Sequence, residues 1–341
     1  MFARAVNEDA TIKTALEGVI LYQIDCEKGE GLELAKRYAI RGYPTFKMVD
    51  GEGAELEAWM GYDGPDVWAT LVDAGVKDQR TLEAKAAAYK AKPTAVLART
   101  LGNAAATSND WKGAVDYFKT AQQLDPANAA EYEESVVSYT FYGSRGDDAP
   151  FGLADLEAVA RPAFDRADQT DQGKLMIASM VTYVARAAGK PEAAVPYLKT
   201  AMEATAGTTD EALAKSRSRL EVDYALLVEK DPAKAVALKK ATMPEGWQED
   251  SGRLNSFAWW CFENGVNLQE AGELALKGVE LAQTDKERAS ILDTAAEICN
   301  ALGNCDEAIA RIQRSIELDP ENAYYKDQLT KFEQAKAEKK G

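Results

Sequence analysis

Apolar positions change their spacing several times along the chain. Residues 19–24, Val-Ile-Leu-Tyr-Gln-Ile, form a nearly continuous apolar run rich in β-branched side chains, which predicts a strand inside a sheet, covered on both faces. Phe46-Lys47-Met48-Val49 and Glu55-Leu56-Glu57-Ala58-Trp59-Met60 flank an Asp50-Gly51-Glu52-Gly53 turn and predict an antiparallel hairpin. Between them, Leu32, Leu34, Ala35 and Tyr38 fall on one helical face. After the hairpin, Gly64-Pro65-Asp66 opens a helix carrying Val67, Trp68, Leu71 and Val72. Residues 76–92, with Asp78-Gln79-Arg80-Thr81 and an Ala/Lys-rich run, predict a charged linker helix.

From residue 93 onward the helical pattern repeats. Leu101-Gly102, Ala114-x-x-x-Phe118 and Asp125-Pro126 are echoed by Gly303-Asn304-Cys305-Asp306-Glu307-Ala308 and Asp319-Pro320 near the other end. Marker alanines recur at 114, 194, 235, 271 and 308, intervals of 80, 41, 36 and 37 residues. The first interval spans two units, so a divergent one falls near Leu153-Ala154-Asp155-Leu156. These motifs resemble the tetratricopeptide repeat, whose period is about 34 residues, although its early Trp and Tyr are missing. The resemblance implies about six stacked helix pairs closed by a polar terminal helix. That last helix would carry Tyr325, Leu329 and Phe332 and end in the Lys-rich stretch 331–340.

The N-terminal residues carry a second resemblance. Tyr43-Pro44-Thr45-Phe46, preceded by Arg41-Gly42, is similar to the cis-proline segment of the thioredoxin fold, and Gly61-Tyr62 to the glycine before its last helix. The resemblance implies a cis Tyr43-Pro44 bond and a loop, Tyr43, Pro44 and Thr45, that faces an extended substrate. It covers only the later part of such a fold. No Cys-x-x-Cys pair occurs, and the family's central strand and first β-α unit have no counterpart. Two explanations stand side by side: Met1 is an internal methionine of a longer reading frame with the cysteine pair just upstream, or the domain is redox-silent and its remaining strands pair directly.

Composition narrows the chemistry. The 341 residues are 46% hydrophobic and carry 40 basic against 56 acidic side chains, a net charge of −16 that disfavours nucleic acid and anionic lipid as partners. The absence of histidine excludes Ser-His and Cys-His nucleophiles and imidazole-bound zinc. Cys26, Cys261, Cys299 and Cys305 are too few and too scattered for a disulfide framework or a four-thiolate metal site. Cys26 reads either as a resolving or regulatory thiol or as a small buried hydrophobe, and Cys299 and Cys305 as half-buried structural thiols. No stretch reaches the roughly 18 apolar residues of a membrane span, and no basic-then-apolar leader opens the chain. As given, the chain is expected to be cytoplasmic, and periplasmic or secreted if an N-terminal segment is missing.

The expected architecture is mainly α with a small α/β part: a partial thioredoxin-like domain over 1–75, a linker helix over 76–92, and tetratricopeptide-like repeats over 93–341. The expected function is a protein-protein interaction module, redox-inactive as given. The alternative is a truncated thiol-disulfide oxidoreductase. Peptide contact is expected at Tyr43, Pro44 and Thr45 and at Trp259 and Trp260, because two adjacent tryptophans on one helix cannot both point inward. No catalytic, cofactor-binding or metal-ligating residue is expected, and the partners are protein or peptide clients.

Overall fold

In the computed structural model, residues 2–338 are described, apart from the side chain of Ala3. The Lys-rich tail expected to end the last helix therefore continues at Lys339 and Lys340 outside the described residues. By compactness the chain divides between Ala204 and Thr205, and the two units are taken in turn.

The first unit opens with two short helices, α1 (Phe2–Glu8) and α2 (Ala10–Ala15), the second capped by Asp9, whose carboxylate accepts from the Thr11 and Ile12 amides. The strand expected at 19–24 does not form. Residues 19–25 have no regular structure, and Ile20 is 95% exposed. A β-branched run becomes a strand only against a partner edge, and none of the described strands lies beside it. The hairpin does form, as β1 (Thr45–Val49) and β2 (Glu55–Met60), with α3 (Gly31–Arg37) before it and α4 (Pro65–Lys77) after it. Phe46 pairs with Trp59 and Met48 with Glu57, and the ladder is irregular between Met48 and Val49. Asp50 holds the turn by accepting from the Glu52 and Ala54 amides, each at 2.9 Å. The sheet among the described residues is thus two-stranded, and a thioredoxin-like fold is not established by it.

What makes the hairpin stable is cover on both faces. Leu56, Glu57, Ala58 and Trp59 are all buried, because α4 lies on one side and two further helices, α5 (Leu82–Ala91) and α6 (Ala95–Thr107), also reach β2. Phe2, Phe46, Tyr62, Trp59 and Trp68 gather around Ile12 and Val72 with ring centroids 4.8–6.4 Å apart. Helix α5 is where the expected linker helix lies, but it does more than connect. Lys85 on its inner face is 1% exposed and reaches Glu57 on β2.

Helix pairs follow. In the first unit α6 pairs with α7 (Trp111–Leu124), α8 (Ala129–Tyr142) with α9 (Leu153–Asp165), and α10 (Asp171–Ala187) with α11 (Val195–Ala204), the last entered through a tight turn at Pro191–Ala194. In the second unit α12 (Glu211–Ser218) precedes α13 (Glu221–Leu227), which pairs with α14 (Pro232–Ala241). There α15 (Ser251–Asn264) pairs with α16 (Leu268–Leu281), α17 (Asp285–Ala301) with α18 (Cys305–Leu318), and α19 (Ala323–Glu338) closes the series. Turns between paired helices repeatedly carry a residue in the left-handed region: Asn109, Gly189, Lys230, Gly265 and Gly303. Threonine or aspartate caps recur at helix starts, with Thr94, Asp110, Thr170, Asp231, Asp250 and Thr284 each accepting an amide three residues on.

The marker alanines Ala114, Ala194, Ala235, Ala271 and Ala308 are each 0% exposed, and Leu156 in the divergent unit is too. They sit where the second helix of a pair approaches its neighbours, which leaves no room for a longer side chain. Gly102 on α6 obeys the same constraint, since an added Cβ would lie 2.7 Å from the buried ring of Phe118 on α7. Gly102→Ala should therefore destabilise the first unit by about 1–3 kcal/mol despite the better helix propensity of alanine. Urea denaturation would show it as a lowered midpoint at unchanged slope.

Candidate functional site

The loop at residues 42–45 keeps the geometry expected of it. The Tyr43-Pro44 peptide is cis, Tyr43 is 65% exposed and Pro44 is exposed. The Thr45 hydroxyl donates to the Gly42 carbonyl at 2.7 Å, and the Gly61 amide donates to the Pro44 carbonyl at 3.0 Å, so both sides of the loop are tied to the hairpin. No thiol chemistry is assembled around it. All four cysteines are free, Cys26 half-buried and the others buried. Burial pushes the Cys261 thiol up to about 12 and also raises that of Cys299, which holds both in the unreactive protonated form.

Trp259 and Trp260 lie in the second unit on α15. Neither is fully enclosed, as expected of adjacent tryptophans on one helix: both are half-buried. Trp260 leans on the core beside Phe257, ring centroids 6.2 Å apart, with Lys239 Nζ 5.6 Å from its ring centre. Trp259 meets Phe262 at 5.2 Å. Nearby, Lys240 Nζ sits 2.6 Å from Glu270 Oε1, and Glu270 is held below the usual carboxylate range first by the Asn267 amide and then by this lysine. Tyr43, Pro44 and Thr45 therefore belong to one compact unit and the tryptophans to the other, as two separate candidate sites.

A third feature escaped the sequence reading. Buried polar side-chain atoms without a hydrogen-bond partner occur, among the described residues, at Trp59 Nε1 and Trp68 Nε1 around the hairpin and at Arg99 Nε, Asn255 Oδ1, Asp293 Oδ1 and Gln328 Oε1 in the helices that follow. The helices of these last four are α6, α15 and α17, each the first of its pair, and the terminal α19; no second helix carries one. First helices also touch one another directly, α8 on α10, α15 on α17 and α17 on α19. Within the second unit, α15, α17 and α19 thus carry three such atoms on helices that touch one another, while Arg99 belongs to the first unit. The signal in the sequence is weak: Asp293 and Glu297 stand four residues apart inside a run, 291–299, that is otherwise mostly apolar and is buried throughout.

The run also holds a strongly perturbed carboxyl. Burial, followed by the nearby Glu297, pushes the Asp293 carboxyl up to about 7 against the pull of Lys331. Lys331 itself bonds Glu297 at 2.6 Å.

Neither a known protein family nor an individual characterised protein matches the sequence. Among solved structures, one described as "YrrB: a TPR protein with an unusual peptide-binding site" is similar at 15% identity, over 72% of this chain and 97% of its own, with a TM-score of 0.32. The helix-pair architecture given above stands on the packing of this chain's own helices. None of the described helices is long and apolar enough to cross a membrane.

Proposed function

We propose that the chain is a protein-interaction module, a set of tetratricopeptide-like helix pairs in which the face built by α15, α17 and α19 of the second unit receives an extended peptide, with no redox activity of its own. The observation that carries this reading is the set of unpartnered buried polar atoms at Asn255, Asp293 and Gln328, on the mutually contacting helices α15, α17 and α19 of the second unit. Each such atom costs about 1–3 kcal/mol when left without a partner. A peptide laid along the face would supply donors and acceptors to several of them at once. Trp259, half-buried beside Phe262 on the same helix as Asn255, is proposed as the apolar anchor, with Trp260 supporting it. Tyr43, Pro44 and Thr45 are proposed as a separate peptide contact on the thioredoxin-like segment 1–75, with 76–92 as its connection to the repeats.

The test is selection from a random peptide library on the immobilised full chain. Selected peptides should bind with micromolar Kd, and Trp259→Ala should weaken them about tenfold or more, the effect of losing one buried aromatic anchor. A selection that yields no saturable binder, or binders indifferent to Trp259→Ala and Asn255→Ala alike, removes the proposal.

A further inference from the structure

The stripe of α17 directed at α19 carries Asp293 and Glu297, 8% and 3% exposed. Helix α19 answers with Tyr324, Gln328 and Lys331, which helical spacing places on one stripe of their own. Lys331 bonds Glu297, and Gln328 Nε2 donates to the Tyr324 hydroxyl. Two acceptors are then left over, Asp293 Oδ1 and Gln328 Oε1, in side chains more than nine-tenths buried. Charge does not balance either. Two carboxylates share one cation, so the slot is short of one positive charge or one proton.

A single chemical group repairs both deficits. A guanidinium or ammonium brings the missing charge together with several N–H donors for the spare oxygens. Lys331 shows that the slot accepts such a group from the outside, because its side chain is 53% exposed while its tip lies against a carboxylate that is 4% exposed. Tyr324, 46% exposed, accepts from Gln328 Nε2 next to the spare Gln328 oxygen, so surface side chains border the buried acceptors. We propose that the slot between α17 and α19 is a receptor for an arginine or lysine side chain of a partner peptide, with Asp293 as its anion and Gln328 as its second acceptor. The assignment rests on the interaction-module reading above and specifies what one part of that face binds.

Ionisation of Asp293 sits inside this scheme. The charges acting on it are Glu297 and Lys331, and Tyr324 and Tyr325 are its titratable neighbours from α19, their hydroxyls raised chiefly by burial. Arg311 of α18 is turned elsewhere, to Glu307 and the Ala295 carbonyl. Binding a cation requires the carboxylate, so affinity should climb as pH passes through the range in which Asp293 loses its proton.

The experiment titrates isotope-labelled full chain with acetyl-Ala-Arg-Ala-amide and with the same peptide carrying citrulline, following backbone amide shifts. The arginine peptide should give saturable shifts on α17 and α19, and citrulline, which keeps shape but not charge, should bind about tenfold more weakly or worse. Between pH 6 and 8 the arginine affinity should rise about tenfold, the ratio of ionised fractions for a group near pH 7. Asp293→Asn should abolish both the affinity and its pH dependence. Equal binding of citrulline, an unaffected Asp293→Asn protein, or no saturable shift overturns the slot and leaves Asp293 holding a proton or a water. Putrescine binding more tightly than the peptide assigns the slot to a free amine and also overturns it. Shifts confined to α15 around Trp259 would sink the slot while leaving the module reading intact, which the library selection judges independently.

Discussion

Changing Lys85 to alanine should cost the first unit about 3–5 kcal/mol, far more than a lysine in a charged, Ala-rich helix ordinarily contributes. Its ammonium is enclosed, donating to Glu57 Oε1 at 2.8 Å and to the Leu56 carbonyl at 2.7 Å, while the Thr100 hydroxyl donates to the same Glu57 oxygen at 3.0 Å. Glu57 is itself 3% exposed. Without the lysine, a carboxylate remains buried with a hydroxyl as its only described side-chain donor. The comparison with Lys85→Met separates the causes: if stem packing dominated, methionine would be mild, whereas the loss of charge pairing predicts nearly the full effect. The double variant Lys85→Met/Glu57→Met should recover most of the stability, because an apolar pair leaves no charge to desolvate. Amide exchange on β2 and α6 reports it, and a loss below about 1 kcal/mol would place the pair among ordinary exposed ones. Since the network ties α5, β2 and α6 together, a fragment that begins after residue 92 should keep protected amides across residues 205–338 but lose them in α6.

The sequence was readable where structure is local. The hairpin follows from period-two alternation around an Asp-Gly turn, and its turn is closed by Asp50's own side chain. The helix pairs follow from alanine spacing, since every marker alanine lies at a point with no spare volume. The run at 19–24 was misread for a physical reason: its composition suits a strand, but a strand is completed by a neighbour that no one-dimensional pattern specifies. Lys85 was unreadable for a related reason. In a window of Ala, Lys and Glu it looks solvated, and only the approach of β2 from 28 residues away makes it buried. The half-burial of Trp259 and Trp260 reflects the particular way Lys239, Phe257 and Phe262 surround them. The α17/α19 slot depends on contact between residues more than thirty positions apart, as the Lys331–Glu297 bond illustrates, so neither helix alone announces it.

Asp293→Asn should stabilise the second unit at pH 8 by up to about 4 kcal/mol while changing little near pH 4. The sign follows from where the proton sits. In the folded chain the carboxyl is raised from 3.8 to about 7, so between those values the native state keeps a proton that the unfolded state has released. Stability conferred by that proton is complete below the unfolded value and is lost as pH climbs toward the folded one, at about 1.4 kcal/mol per pH unit. Asparagine has nearly the same shape and stays neutral throughout, so it suffers no such loss. Lys331→Met removes the one attraction that favours the carboxylate and should steepen the decline of the parent protein between pH 5 and 8. Urea denaturation at several pH values, with amide exchange read on α17, compares each variant with its parent so that the other carboxylates cancel. A pH-independent difference between Asp293→Asn and parent would mean that Asp293 is ionised in the folded chain across this range, and the slot's missing charge would then have to be supplied in some other way.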